Sequence, residues 1–388
     1  MKMRTPLAWF NLTYKRQRLL TALAGVSFAV VLMFIFKGFE NALYDSQVQL
    51  LKALNGDIVM VNRIKTSMFV PEKFARRRLY QAEAFEGVDA AYPLYTTTAD
   101  WKNPDTKKIR PLRVLAFNLN DPVLPIPEIL AKRSALQMPR TAIVDSKSRS
   151  EVGSLAIGTV TEVAKQAVRL VGTFSLGTDF TSGNGNVVMS DQNFIRYFSN
   201  LGPDDDERNL NTVDIGLLKV APGADVGTLV QTLTQRLPID ILIYSKEDFV
   251  NKELNYWKEN TNIGFIFSLL TVMSFLVGVI IVYQILYTDV AEHWAEYATL
   301  KAMGYSNFFL LKVVIQQAVF MGLLGFLPGF LISFGLYRVT ADATGLLMQM
   351  TPPRVANTLV ATVIMCLISG AIAVRKVQST DPAEVFGT

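Results

Sequence analysis

The sequence predicts an integral membrane protein, with four transmembrane α-helices plus a large α+β domain inserted between helices one and two. Three observations carry this expectation. Four charge-free apolar runs occur, Leu19–Phe36, Ile263–Tyr287, Val313–Tyr337 and Val355–Val374. At about 1.5 Å per residue they reach roughly 27–37 Å, against about 30 Å of bilayer hydrocarbon. Half of the 388 residues are hydrophobic and only 18% are charged, below the roughly 25% of a water-facing domain. Residues 37–262, between the first two runs, balance 27 Lys plus Arg against 27 Asp plus Glu and are long enough to form one or two domains.

Residues 1–18 read as an amphipathic helix on the inner membrane face. Trp9, Phe10 and Tyr14 suit the interface, and Lys15, Arg16 and Arg18 suit anionic headgroups. The first span, 19–36, is read as a retained anchor, because Phe36-Lys37-Gly38-Phe39 offers no small-x-small cleavage site. Five cations and no acid precede it, and Arg375 and Lys376 follow the fourth span. The positive-inside rule then puts both termini in the cytoplasm and residues 38–262 outside. The isoelectric point of about 9.1 is thereby explained by membrane orientation, with no nucleic-acid footprint behind it.

Within the outer domain the helical pattern continues from span one through Leu54, Gly56 stops it, and Asp57–Val61 reads as a strand. Further strands are expected at Val88–Tyr95, Pro111–Phe117, Thr141–Val144, Thr159–Glu162, Arg169–Thr173, Asn186–Met189, Val213–Val220 and Ile239–Tyr244. Helices are expected at Glu72–Ala84, Ser190–Asn200, Val226–Arg236 and Lys246–Asn260, the last leading into span two. The order strand 213–220, helix 226–236, strand 239–244 resembles half of a ferredoxin-like unit. The loop-rich centre, about 100–210, is expected to form a second subdomain.

Span two covers 263–287. Residues 288–312 hold a cytoplasmic coupling helix and the start of span three, and Asp289 with Glu292 reads as its helix start. Val290, Trp294 and Tyr297 form one stripe, and Ala291, Ala295, Ala298 and Ala302 a small-residue stripe. Gly304 is a stop of the C′ type. Span three covers 313–337, residues 338–354 form a short outer loop, span four covers 355–374, and 375–388 form a cytoplasmic tail. Small residues recur at four-residue spacing, including Gly25 in span one and Gly325, Gly329 and Ser333 in span three, as close helix packing needs.

Chemistry is sparse. The one cysteine, Cys366, excludes a disulfide within the chain, and the one histidine, His293, excludes a site with several His ligands. No Gly-x-x-x-x-Gly-Lys-[Ser/Thr], Gly-x-Ser-x-Gly or His-Glu-x-x-His motif occurs. The acidic run Asp204–Glu207 reads as a solvated loop, and Arg76-Arg77-Arg78 as a charged helix face. The expectation is a non-catalytic chain that binds no cofactor or metal.

Glu296-Tyr297-Ala298-Thr299-Leu300-Lys301-Ala302-Met303-Gly304-Tyr305-Ser306 is similar to the E-x-G-x-L-K-A-x-G-x-S coupling segment of the MacB/FtsX-type (type VII) ABC transporter permeases. Asp381-Pro382-Ala383-Glu384-Val385 is similar to their D-P-A-E-A tail. The topology resembles that family over the whole chain. Pro6-Leu7-Ala8-Trp9 and Trp101-Lys102-Asn103-Pro104-Asp105-Thr106 resemble the DevC group of cyanobacterial exporter permeases. Ala298 stands where the broader family often has Gly, and Gln317 where many members carry Glu.

The resemblance implies a permease in the bacterial inner membrane, its large domain periplasmic, paired with a second copy of itself and with two copies of an ABC ATPase that bind ATP and Mg. Glu296, Leu300, Lys301, Ala302 and Gly304 would then couple to that ATPase. It further implies a periplasmic membrane fusion protein, a TolC-like outer-membrane channel, contact with membrane lipids, and a lipid-like cargo, a glycolipid in the DevC case. The other reading is an FtsX-like transmitter controlling a periplasmic hydrolase, for which the outer domain is large.

Overall fold

The computed structural model describes residues 16–68, 70–179, 183–199, 209–293, 296, 299, 303, 304 and 306–378. The amphipathic stretch before residue 16, the acidic run Asp204–Glu207, Leu300, Lys301, Ala302 and the Asp381–Val385 tail lie outside the described residues. The chain divides into two compact units, one comprising 1–41, 263–341 and 348–388, the other 42–262 and 342–347.

Among the described residues, the first unit is a bundle of four helices long and apolar enough to cross a membrane. They are α1 (Arg16–Ala53), α8 (Ile263–Glu292), α9 (Asn307–Thr344) and α10 (Pro352–Gln378). Each outruns its charge-free run, because helical hydrogen bonding does not stop where apolarity does. Thus α9 carries Arg338 and Asp342 beyond span three, leaving only 345–351 of the expected 338–354 loop outside a helix. Asp289 starts no new helix. It lies inside α8, whose last residues extend the membrane span. The bundle core is Val26, Val30 and Phe34 of α1, Val282 and Leu286 of α8, Val314, Ala318 and Met321 of α9, and Met365, Cys366 and Ala373 of α10.

The second unit is α+β. Its strands are β1 (Ile58–Asn62), β2 (Phe74–Ala75), β3 (Val88–Lys102), β4 (Ile109–Phe117), β5 (Thr141–Asp145), β6 (Val160–Val163), β7 (Gln166–Phe174), β8 (Asn186–Ser190), β9 (Thr212–Val213), β10 (Ile215–Val220) and β11 (Ile241–Ser245). Its helices are α2 (Arg77–Glu83), α3 (Pro127–Ala131), α4 (Arg133–Leu136), α5 (Asp191–Phe198), α6 (Val226–Arg236) and α7 (Lys246–Asn260). Nine strands form one sheet in the order β11-β1-β10-β3-β4-β8-β5-β7-β6, and β2 pairs with β9.

β10 and β11, joined by α6, each pair antiparallel with β1 between them. With α2 between β1 and β3, this is a ferredoxin-like path, strand order 4-1-3-2, interrupted between β3 and β10. The stretch 100–210 supplies the insertion, and the fifteen-residue β3 joins it to the rest. Its Val88–Leu94 pairs with β10 and its Tyr95–Lys102 with β4. The helix expected at Glu72–Ala84 is shorter, since Phe74 and Ala75 pair with Val213 and Thr212 instead.

The sheet has a core on each face. Ile58 and Met60 of β1 enter one cluster and Val59 and Val61 the other, as the two-residue period of a strand requires. Leu50, Leu51 and Leu54 of α1 join the second cluster. Helix starts are fixed by side-chain caps: Ser190 accepts from Asn193 N at 3.1 Å, Asp225 from Thr228 N at 2.7 Å, and Ser245 from Asp248 N at 3.0 Å. The arginine triplet is partly engaged, Arg78 pairing with Asp240 at 3.0 Å and Arg76 lying 5.6 Å from the Tyr80 ring.

Candidate functional site

The candidate site is the end of the bundle where α8 gives way, through residues 293–306, to α9. Val290 is buried, whereas Ala291 and Glu296 are exposed. Met303 N donates to Thr299 O at 3.0 Å, closing a last helical turn. Gly304 follows at φ +93°, the left-handed conformation that ends a helix without penalty only when no Cβ is present. A Cβ there would meet nothing within 4 Å, so the requirement is purely one of backbone. Two large apolar side chains flank it in the open, Met303 and Phe308, 64% and 73% exposed. Of the expected coupling residues, the structure therefore places Glu296 and Gly304.

Immediately inside this turn lies a polar contact that the apolar pattern conceals. Asp289 of α8 is buried, and its Oδ2 accepts from Gln317 Nε2 of α9 at 3.2 Å. One turn on, His293 Nδ1 lies 2.8 Å from the Asp289 carbonyl and 3.7 Å from its carboxylate. Asp289 and Gln317 line a small pocket together with Leu19, Ala22, Ile285, Leu286 and Met321. The charge-free run stops at residue 287, yet the bundle core continues to a carboxylate two residues later. The signal for it was the amide at 317, a polar group on the buried face of a largely apolar span.

The small residues sit at helix crossings within this chain. A Cβ on Gly25 would come 2.6 Å from Ile281 of α8. One on Gly325 would come 2.6 Å from Val26 Cβ, and one on Gly329 2.8 Å from Val30 Cβ and 3.0 Å from the Ser27 carbonyl of α1. Ser333 is fully buried and its hydroxyl turns back to Gly329 O at 2.7 Å. Pro328 lacks the N–H that the Leu324 carbonyl would bond. One residue along, the Ser27 hydroxyl bonds Gly325 O at 2.8 Å. Tyr337 OH donates to Phe34 O at 2.6 Å, and Ser369 OH to Val279 O at 2.9 Å. Such side-chain bonds to helix carbonyls tie α1 to α9 and α8 to α10 inside an apolar medium.

Among the described residues, no three His, Cys, Asp or Glu side chains come together as a metal site. The arrangement offers a linkage: exposed Met303 and Gly304 lie between two helices that meet at the Asp289–Gln317 hydrogen bond.

Residues 268–382, which take in most of α8 and all of α9 and α10, match the FtsX-like permease C-terminal family. Among solved structures, the chain is similar to the periplasmic region of MacB from Actinobacillus actinomycetemcomitans, at 9% identity and a TM-score of 0.36, over 54% of this chain and 96% of that one. It is similar to the extracellular domain of the noncanonic ABC-type transporter YknZ from Gram-positive bacteria, at 9% identity and a TM-score of 0.34, over 48% and 99%. A domain of a permease protein from Porphyromonas gingivalis aligns at 16% identity and a TM-score of 0.30, over 48% and 87%. A comparison with the curated proteins finds no match.

Proposed function

We propose that this chain is the non-catalytic permease subunit of an ABC exporter in the bacterial inner membrane, driven by a separate ATPase. The observation that carries the reading is the turn at Gly304 inside the FtsX-like permease domain. Gly304 is exposed, adopts the left-handed conformation, and lies between two apolar helices that meet at Asp289–Gln317. Force delivered to that turn by two ATPase subunits closing on ATP and Mg moves α8 and α9 as a pair. Glu296, Leu300, Lys301, Ala302 and Gly304 form the contact with the ATPase, and a second copy of the chain completes the permease.

Both termini are cytoplasmic in this reading and the α+β unit is periplasmic, where it meets a membrane fusion protein and, through it, a TolC-like channel. The apolar lining of the spans suits a lipid-like cargo, a glycolipid if the DevC resemblance extends to substrate. The test is reconstitution of the chain in lipid nanodiscs with its ATPase. The chain alone is expected to hydrolyse no ATP and to raise the rate of the ATPase when present. Hydrolysis by the chain alone, or an ATPase indifferent to it, would overturn the reading.

A further inference from the structure

The inserted part of the α+β unit closes on itself. β6 pairs with β7 and also with Trp101 and Lys102 of β3, so β3, β4, β8, β5, β7 and β6 form a closed barrel. Val168 and Leu170 of β7 enter the core, and the alternation of the strand leaves Arg169 exposed outside. There a groove of about 330 Å³ opens on the barrel surface, with Met138, Arg140, Val160, Arg169 and Val171 in its walls.

The groove is built from the inside. Asn193 of α5 is buried, and its Nδ2 donates to the carbonyls of Leu136, Met138 and Thr141 at 3.3, 2.9 and 3.3 Å. Its Oδ1 accepts from Arg140 N at 3.0 Å and from Arg196 Nη1 at 3.4 Å. The Arg140 carbonyl in turn accepts from Arg169 N at 2.8 Å. Val171 is the extra residue of a bulge in β7, since Leu170 and Gly172 oppose the consecutive Ala142 and Ile143. One buried amide thus fixes the turn that carries Arg140, and a strand contact holds the Arg169 backbone against it.

Arg140 has φ +59°, a conformation that favours glycine, so a long side chain is kept where the backbone argues for none. Among the described residues, Arg140, Arg169 and Arg196 form no ion pair, and no carboxylate lines the groove. Burial raises the Tyr197 pKa while the Arg140 and Arg196 charges oppose the rise, which puts both cations near one hydroxyl. Met138 and Val160 are each more than half exposed. Arginine and methionine on an open face are the side chains that protein interfaces favour. β5 and β7 run parallel, with Thr141 opposite Arg169 at the groove and Asp145 opposite Phe174 at the other end. Beyond that other end Gly345, on the connection between α9 and α10, lies against Lys147 O and Thr178. The groove therefore opens at the end of the barrel opposite the segment that returns to the membrane helices, which favours a protein over a lipid headgroup.

We propose that this groove is a docking surface for an acidic, partly apolar segment of a protein partner. Carboxylates of that segment pair with Arg140 and Arg169, with Arg196 at the margin. An apolar side chain between them lies against Met138, Val160 and Val171. Identifying the partner with the membrane fusion protein rests on the export reading above, whereas the docking surface itself does not.

The experiment uses the full chain in phosphatidylcholine nanodiscs. A short labelled peptide of alternating glutamate and leucine is titrated by fluorescence anisotropy, against its lysine–leucine counterpart and against empty nanodiscs. Saturable binding of the glutamate peptide alone, weakening with salt, is the expected result. Arg169→Gln should weaken it about three- to tenfold. Arg140→Gly, whose backbone suits φ +59°, should weaken it as much without lowering the melting temperature. Arg140→Glu/Arg169→Glu should turn the preference to the lysine peptide, and Arg236→Gln on α6 should leave binding unaltered. Equal binding of the two peptides, parental binding by both single variants, or competition by short-chain phosphatidylglycerol as strong as by unlabelled peptide would overturn the proposal. Binding that emerges only in Asp204→Asn/Asp205→Asn/Asp206→Asn would make the chain's own acidic run the occupant and overturn it as well. Peptide binding by a chain that fails to stimulate its ATPase would leave the docking surface standing and remove the export reading.

Discussion

Gln317 donates to Asp289 across 28 positions of sequence, bringing α9 and α8 into polar contact at 3.2 Å inside the bundle. Both side chains are almost inaccessible. A carboxylate in such a place depends on its donors, because water cannot replace them.

Replacing Gln317 by Met, of similar volume, should therefore destabilise the bundle by about 1–3 kcal/mol, seen as a lower melting temperature in nanodiscs. Stimulation of the ATPase should fall in parallel. The double variant Gln317→Met/Asp289→Leu removes donor and acceptor together and should recover part of the stability. Additive losses in the double-mutant cycle would show that the two side chains are not coupled.

Gly325 and Gly329 leave no room for a Cβ against Val26 and Val30. Gly329→Leu, and more mildly Gly325→Ala and Gly329→Ala, should cost the bundle about 1–3 kcal/mol through overpacking. Gly335, with nothing within 4 Å of its Cβ position, is the internal control. Gly335→Ala should melt like the parent, and an equal loss there would remove the packing argument.

Gly304 is constrained by φ +93° alone. Gly304→Val forces a branched side chain into that conformation at a cost of about 1–3 kcal/mol, whereas Gly304→Asn should be milder. Both variants should insert normally, since no membrane residue changes. ATPase stimulation should drop in the order Gly, Asn, Val. Parental stimulation by the Val variant at equal expression would show that the turn is not the coupling element.

Glu253 has its pKa raised above the ordinary value of 4.5, first by burial, against which the Ser67 and Met68 bonds and the Lys252 and Lys65 charges pull downward. The stability gained from its protonation is fully present below that ordinary value and is lost as pH climbs through the raised folded value. Glu253→Gln stays neutral and still accepts from Met68 N, so its melting temperature should gain on the parent as pH rises from about 4 to 8. Glu253→Ala, which strands the Ser67 and Met68 donors, should lose stability at every pH. A Gln-minus-parent difference that is flat with pH would assign the titration to other carboxylates, among them Asp121 and Asp191, which burial also raises.

The four spans were legible because a charge-free run of that length has few other physical outcomes. Their ends were not, since α9 carries Arg338 and Asp342 onward without interruption. The β10-α6-β11 unit was legible because its connection is short and locally patterned. The full length of β3 was hidden, because Thr96–Thr98 and Asp100 break the apolar alternation while Ala99 and Trp101 remain buried. At the site, small-residue spacing marked Gly25, Gly325 and Gly329, but nothing in it said that the first meets α8 and the others α1. Asp289 followed by Glu292 read as a helix start, a purely local signal, whereas Asp289 lies inside α8 and accepts from the distant Gln317. Glu253 and Ser67 lie 186 positions apart, and a buried glutamate on an otherwise polar helix leaves no periodic trace.

Cys366, the sole cysteine, is wholly enclosed in the bundle core. In its native sequence the folded protein presents no thiol to a water-borne reagent. Any cysteine introduced on its surface, at Met303 or Phe308 beside the Gly304 turn for instance, becomes a single chemical address. A spin label or fluorophore placed there would follow that turn through an ATPase cycle without a second reporter to subtract.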